Sequence, residues 1–171
     1  MTSDSVLRVE AHPSDGRGYQ LISEQRFACP REVVFPFFAT VDNLQSITPP
    51  WLNFSIVTPL PLEMKAGALI EYRLRIRCIP VRWKTEISDW EPPFRFVDQQ
   101  LRGPYHYWHH EHIFVEDDHG TLVRDVVQYR PKGGRLVHSL FVKNDLLKIF
   151  RFRQQALREH FESHVQLPSD C

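Results

Sequence analysis

The run LRGPYHYWHHEHIF, Leu101–Phe114, constrains how everything around it must pack. It turns at Gly103 and Pro104, then crowds aromatic residues, His106, His109, His110, His112 and Glu111 into a segment that otherwise reads as a β-strand. Successive strand side chains point to opposite faces, so His106, Trp108, His110, His112 and Phe114 share one side and Tyr105, Tyr107, His109, Glu111 and Ile113 the other. One face of a sheet must be covered, and either choice here takes polar groups with it. The segment is therefore an imidazole-lined interior wall or an ordinary strand with a decorated outer face.

The segments on both sides are also strands. Ala68–Ile76 alternates cleanly, with Ile70, Tyr72, Leu74 and Ile76 facing in and Glu71, Arg73 and Arg75 facing out. After a hairpin-like connection at Cys78 to Pro80, Val81, Trp83, Thr85 and Ile87 answer it. Phe94–Leu101 is the next strand. Beyond the polar turn at Asp117 to Gly120, Thr121–Arg130 sets Val123, Asp125, Val127 and Tyr129 against Leu122, Arg124, Val126 and Gln128. Upstream, WLNFSIVT at 51–58 alternates as well. Connections of hairpin length from 51 to 130 predict a meander of six antiparallel strands, and Tyr19–Phe27 supplies a seventh. Between that first strand and the meander lie two short helical segments. One begins after Pro30 with Val33, Val34, Phe37 and Phe38 on its apolar side, and the second is a turn that Asp42 can cap. After Gly134 the period changes: Leu146, Phe150, Leu157 and Phe161 form the stripe of a long amphipathic helix, free of Pro and Gly from Leu136 to Glu162. Residues 1–18 are expected as a flexible leader, although VLRVE at 6–10 could pair with a sheet edge. A single domain is expected over 19–164, with 165–171 as a disordered tail.

Bulk properties exclude several classes. The chain has 171 residues, 42% hydrophobic and 25% charged, which suits one soluble domain with a full core. Lys and Arg total 21, as do Asp and Glu, so no charge excess favours nucleic acid. The basic residues facing out of the meander alternate with Glu71 and Glu86, the composition of a solvated sheet face. Cys29, Cys78 and Cys171 are an odd, widely spaced set, which argues against a disulfide scaffold and against thiolate ligation of a metal. No apolar run approaches a bilayer span and residues 1–18 lack a signal-peptide core, so a cytoplasmic location is expected.

The order of strand, two short helices, six strands and long C-terminal helix is an α+β arrangement that resembles the helix-grip fold of the START-like (SRPBCC) superfamily, which includes polyketide cyclases and dehydratases. The resemblance spans residues 19–162. It is closest to small bacterial members at TPPWLNF (48–54), MKAGALIEYRLRI (64–76), PVRWKTEI (80–87), WEPPFRFVDQQLRGPYHYWHHEH (90–112) and GTLVRDVVQY (120–129). It implies a curved seven-stranded sheet around the C-terminal helix, with a cavity between them and the short helices at its mouth. The inward positions then become pocket residues: Tyr72, Trp83, Thr85, Phe96, Trp108, His112 and Tyr129 from the sheet, Phe150, Arg153 and Leu157 from the helix. Such a lining suits a hydrophobic small molecule, bound for transport or sensing.

Two further functions stay open. A cyclase, dehydratase or aromatase would use His110 as general acid–base, oriented by Asp98 or Asp125. A protein-interaction or regulatory module would use the aromatic surface around Pro49, Pro50, Trp51 and Trp90. The same histidines raise metal binding, because His110 and His112 share a face and Asp125 could complete a set. No second element offers a histidine, so no metal and no other cofactor is assigned. The expected partner is a hydrophobic ligand, with a homodimer as an option and neither nucleic acid nor stable membrane insertion.

Overall fold

The structure, a computed structural model, describes residues 5–14 and 16–165. Eight antiparallel strands form one sheet in the order β1-β2-β8-β7-β6-β5-β4-β3. They are β1 (Val6–Ala11), β2 (Tyr19–Phe27), β3 (Ser55–Ile56), β4 (Leu69–Ile76), β5 (Ile79–Glu91), β6 (Arg95–Arg102), β7 (Tyr105–Asp117) and β8 (Gly120–Pro131). Consecutive strands from β3 to β8 are neighbours, joined by short turns from β4 onward and by the longer loop 57–68 between β3 and β4. The exception is β2, which lies beside β8 from Tyr19↔Tyr129 to Phe27↔Thr121.

The expected count was seven, and the eighth strand is β1. Val6–Ala11 pairs along its whole length with β2, from Val6↔Glu24 to Ala11↔Tyr19, so this part of the expected leader is an edge strand of the sheet. Its main-chain groups find partners on β2, and Gln154 Nε2 also donates to the Val6 carbonyl at 3.1 Å. At the other end Val165 closes the last helix, and the rest of the expected tail lies outside the described residues.

The strand expected over 51–58 shrinks to Ser55–Ile56. Pro50–Leu52 is a 3₁₀ turn, started by a proline whose fixed φ is already helical, and Asn53 leaves it in the left-handed region at φ 45°. Asn is among the few residues that tolerate that conformation, so a turn outcompetes the alternating pattern. The first helix, α1 (Arg31–Ala39), contains Pro36 and buries Val34, Phe35 and Phe37 against the sheet. Asp42 makes no side-chain cap; it lies inside the following 3₁₀ turn, Val41–Leu44.

The C-terminal helix starts as α2 (Gly134–Val137), passes through a π-helical stretch at His138–Val142 and continues as α3 (Lys143–Val165). Its stripe lies against the concave side of the sheet. Leu146 and Phe150 join Leu21, Val127 and Tyr129 in one cluster, while Leu157 and Phe161 join Phe27, Val34, Phe114 and Val123 in another. The two clusters hold the ends of the helix down. Between them the sheet curves away and leaves a space.

One connection carries backbone strain. Ile76 pairs with Ile79, so Arg77 and Cys78 form a two-residue hairpin turn, with φ of 48° and 68°. That geometry suits the twist of the strands but normally selects Asn or Gly. Here the Arg77 guanidinium grips Asp145 of α3 at 2.7 and 2.9 Å and lies over the Phe141 ring at 4.6 Å. The hairpin tip is thereby tied to the helix across one end of the space.

Candidate functional site

Between α3 and the concave face of the sheet is a cavity of about 190 Å³. A single water needs only about 10–15 Å³ of such volume, so the space is an order of magnitude beyond one solvent site. Its walls are the inward positions of the strands. Ile70, Tyr72, Leu74 and Ile76 come from β4, Trp83, Thr85 and Ile87 from β5, and Phe96 and Asp98 from β6; Trp108, His110 and His112 come from β7. Leu146, Ile149, Phe150 and Arg153 of α3 face them, and α1 with its following turn contributes Phe37, Phe38, Val41 and Leu44.

One end is aromatic. The Tyr72 ring stacks on Trp83 at 5.8 Å, Trp108 meets Trp83 edge-on at 5.3 Å, and Tyr105 leans on Trp108 at 4.8 Å. Tyr105 belongs to this wall although strict alternation assigns it outward. A register shift between Tyr105 and Tyr107 pushes His106 out of the ladder, so Tyr105 turns inward and His106 is exposed. Nothing in the residue types announces that bulge. Burial raises the phenol pKa values of Tyr72 and Tyr105, so both hydroxyls stay protonated. The Tyr72 hydroxyl lies 3.4 Å from Thr85 Oγ1.

The other distinct feature is a polar cluster drawn from three neighbouring strands. In the ladder Asp98 is opposite His110, and His112 is opposite Asp125. Period-two alternation puts all four on the concave face, where side chains also reach diagonally. Each imidazole consequently touches both carboxylates. His110 Nε2 is 3.1 Å from Asp125 Oδ1 and its Nδ1 is 3.3 Å from Asp98 Oδ2; His112 Nε2 is 3.0 Å from Asp98 Oδ2 and its Nδ1 is 2.7 Å from Asp125 Oδ1. The two rings are 3.8 Å apart, and Phe96 stacks on His112 at 4.2 Å. Two of the four contacts are aligned hydrogen bonds, His110 Nε2 with Asp125 and His112 Nε2 with Asp98. The 2.7 Å approach of His112 Nδ1 is not aligned as one.

Burial by itself would push both carboxyls up, yet hydrogen bonds and positive potential from the imidazoles hold Asp125 well below the usual carboxylate range and Asp98 below its own. The histidines diverge. Burial and the neighbouring His112 lower His110, whereas the two carboxylates overcome burial and raise His112. Arg153 adds positive potential at Asp98 from the helix. A metal could use Asp98, His110 and His112, whose ligand atoms all lie within 4.8 Å of one another.

Of the residues expected at the pocket, Tyr72, Trp83, Thr85, Phe96, Trp108, His112, Phe150 and Arg153 border it, as do His110 and Asp98. Tyr129 and Leu157 do not. The Tyr129 hydroxyl is 2.9 Å from His138 Nε2 in the cluster at the foot of the helix, and Leu157 is one turn too far along α3, inside the core with Phe161. Asp125 stands behind the imidazoles without bordering the cavity; its side chain is 5% exposed against 18% for Asp98. The aromatic surface considered for protein docking is not continuous either. Pro49 is fully buried, and Trp90 packs between Phe35 and Phe96 at 5.5 Å from each, leaving Pro50 and Trp51 exposed.

The tertiary fold is shared with several solved structures. Protein Ms6760 from Mycobacterium smegmatis superposes with a TM-score of 0.65 at 14% identity, over 93% of this chain and 99% of its own. The ginseng major latex-like protein 151 from Panax ginseng gives 0.63 at 15% identity, over 85% and 99%. CalU16 from Micromonospora echinospora gives 0.51 at 15%, over 98% and 100%. At those identities the likeness is one of fold, the START-like fold that the segment order resembles. No curated protein matches the chain. The family model described as polyketide cyclase / dehydrase and lipid transport matches residues 28–162, the span from the first helix to the end of the helix stripe, and the chain belongs to that family.

Proposed function

We propose that the cavity binds a hydrophobic, ring-bearing small molecule that carries an oxygen acceptor such as a carbonyl or carboxylate. One observation carries this reading. Outside the polar cluster of Asp98, His110 and His112 the wall is mostly aliphatic and aromatic, and in it the indole N–H of Trp83 and the Nε–H of Arg153 are buried and have no hydrogen-bond partner among the described residues. An orphaned buried donor costs on the order of 1–3 kcal/mol, and a ligand oxygen recovers it. The surrounding rings of Tyr72, Tyr105 and Trp108 supply a flat apolar surface for the ligand body. The family and the shape of its fold agree with such a role, and the cavity is too large for the few waters that a purely interaction-based module would enclose.

Isothermal titration with a matched pair of probes, 2-naphthoate and 2-methylnaphthalene, tests the reading. Wild-type protein is expected to prefer the carboxylate. Trp83→Phe keeps most of the apolar volume and removes one N–H donor, so it is expected to narrow that preference by about tenfold, the equivalent of one hydrogen bond of about 1.4 kcal/mol. Arg153→Met removes the guanidinium with its charge and all its donors, and is expected to narrow it further. Equal affinity for both probes in the wild type, or a preference untouched in both variants, refutes the assignment.

A further inference from the structure

The four-residue cluster has a hydrogen-bond deficit that a bound cation would remove. Four nitrogen–carboxylate contacts of 2.7–3.3 Å require four protons if each is to be a hydrogen bond, and two neutral imidazoles carry one N–H each. In the neutral arrangement His110 Nδ1 turns a lone pair toward Asp98, and His112 Nδ1 turns one toward Asp125 at 2.7 Å. Buried lone pairs facing carboxylates are unfavourable; charging one ring still leaves one of the four contacts without a proton, and charging both places two imidazolium ions 3.8 Å apart.

We propose that Asp98, His110 and His112 bind a divalent first-row transition-metal ion on the cavity wall, with Asp125 behind it holding both imidazoles. Asp98 Oδ2 is 3.3 Å from His110 Nδ1 and 3.0 Å from His112 Nε2. Metal bonds of about 2.0–2.2 Å put neighbouring ligand atoms about 3.0–3.4 Å apart, whether the ion is octahedral or tetrahedral. The remaining nitrogens, His110 Nε2 and His112 Nδ1, both meet a single atom, Asp125 Oδ1. A carboxylate that receives the far N–H of a ligating histidine fixes its tautomer and ring orientation. Here one carboxylate is hydrogen-bonded to His110 and lies 2.7 Å from His112, a contact that a rotation of the second ring would align. With the ion in place Asp98 Oδ2, His110 Nδ1 and His112 Nε2 share it as ligands, and the two imidazole protons are left to face Asp125 Oδ1, at 3.1 Å from His110 Nε2 and 2.7 Å from His112 Nδ1.

The three ligands border the cavity and Asp125 does not, so the free coordination positions open toward the space. Two imidazoles and one carboxylate with open positions suit zinc or ferrous iron, and cobalt(II) is a spectroscopic stand-in for either. The inference does not rest on the organic ligand proposed above, although both would share one cavity, and its test uses no organic ligand. The sequence pattern gave little weight to it because no second strand carries a histidine; the third ligand is a carboxylate that strand register brings across from β6.

Chelator-treated full-length protein should be titrated with zinc(II) by calorimetry and with cobalt(II) by visible absorption. One ion per chain and cobalt d–d bands are expected. His112→Gln and Asp98→Asn should weaken binding at least 100-fold, and Asp125→Asn by about 10- to 100-fold. The double variant His106→Gln/His109→Gln, on the same strand but outside the cluster, should bind as wild type does. A second measurement needs no variant of the cluster. Cobalt-induced paramagnetic shifts should centre on Phe96, whose ring stacks on His112. The proposal is overturned if wild-type protein shows no saturable one-to-one binding, if folded His112→Gln binds as tightly as wild type, or if the shifts centre elsewhere.

Discussion

Two sites in this molecule bury histidine almost equally and use it in opposite ways. His110 and His112 sit between two carboxylates on a cavity wall, and His138 sits in the π-helical entry to the C-terminal helix. There it stacks on Tyr19 at 3.3 Å and its Nε2 is 2.9 Å from the Tyr129 hydroxyl. At His138 the partner is neutral, apolar rings fill the surroundings, and one hydrogen bond completes the site. Burial, with help from Lys143, lowers the His138 pKa, so the ring is held neutral. At the cluster the partners are charged, the contacts outnumber the protons, and one side is open space. A closed site of the first kind is what a fold needs to seat a helix. A site of the second kind costs stability unless something else uses it.

The largest effect expected from this contrast follows removal of Asp125. Asp125→Ala strips the shared oxygen from two buried imidazoles, and losing one partner of a buried charged network costs about 3–5 kcal/mol. Urea unfolding of metal-free protein measures it, and a loss below that of the His138 variants would break the contrast. Next comes His138→Ala, which leaves a cavity beneath Tyr19 and an unpaired Tyr129 hydroxyl. It should cost about 2–3 kcal/mol by the same measurement and leave binding in the cavity unchanged.

Tyr129→Phe is gentler. It deletes only the phenol and should cost about 1 kcal/mol or slightly more, because His138 Nε2 loses its partner. The pH dependence at this site has a definite sign. The folded His138 pKa lies below the ordinary value of about 6.5, so on acidification the unfolded chain takes up a proton first. Its stabilising contribution is fully present above about pH 6.5 and is lost as pH falls through the lowered folded value. His138→Gln should therefore lose less stability than wild type between pH 7.5 and 5.5 in urea midpoints, and a greater loss would reverse the assignment. The smallest effect belongs to the exposed pair at the hairpin tip. Asp145→Asn weakens a well-formed bidentate contact with Arg77, yet solvent screens it, and the melting temperature should move less than in any buried variant.

Much of the site was legible because strands and helices impose simple periods. His110, His112, Asp98 and Asp125 share one face by parity, and parity survives as long as no residue is inserted between them. Where a residue was inserted, as at His106, parity failed and Tyr105 moved to the wall. Tyr129 obeyed parity but lies beyond the cavity, since position along the strand decides which part of the helix a side chain meets. Leu157 missed it for the same reason, lying along α3 where helix and sheet have already closed together.

Alternation and the change of period after Gly134 were sufficient for the α+β class, the strand meander and the long helix, because those patterns follow from backbone geometry alone. The choice between a leader and an edge strand at Val6–Ala11 needed the partner β2, since an edge segment with mixed burial has no signature of its own. The meeting of two imidazoles with two carboxylates also needed the tertiary structure. It depends on the register between β6, β7 and β8, a relation between distant segments that residue spacing within any one of them does not contain.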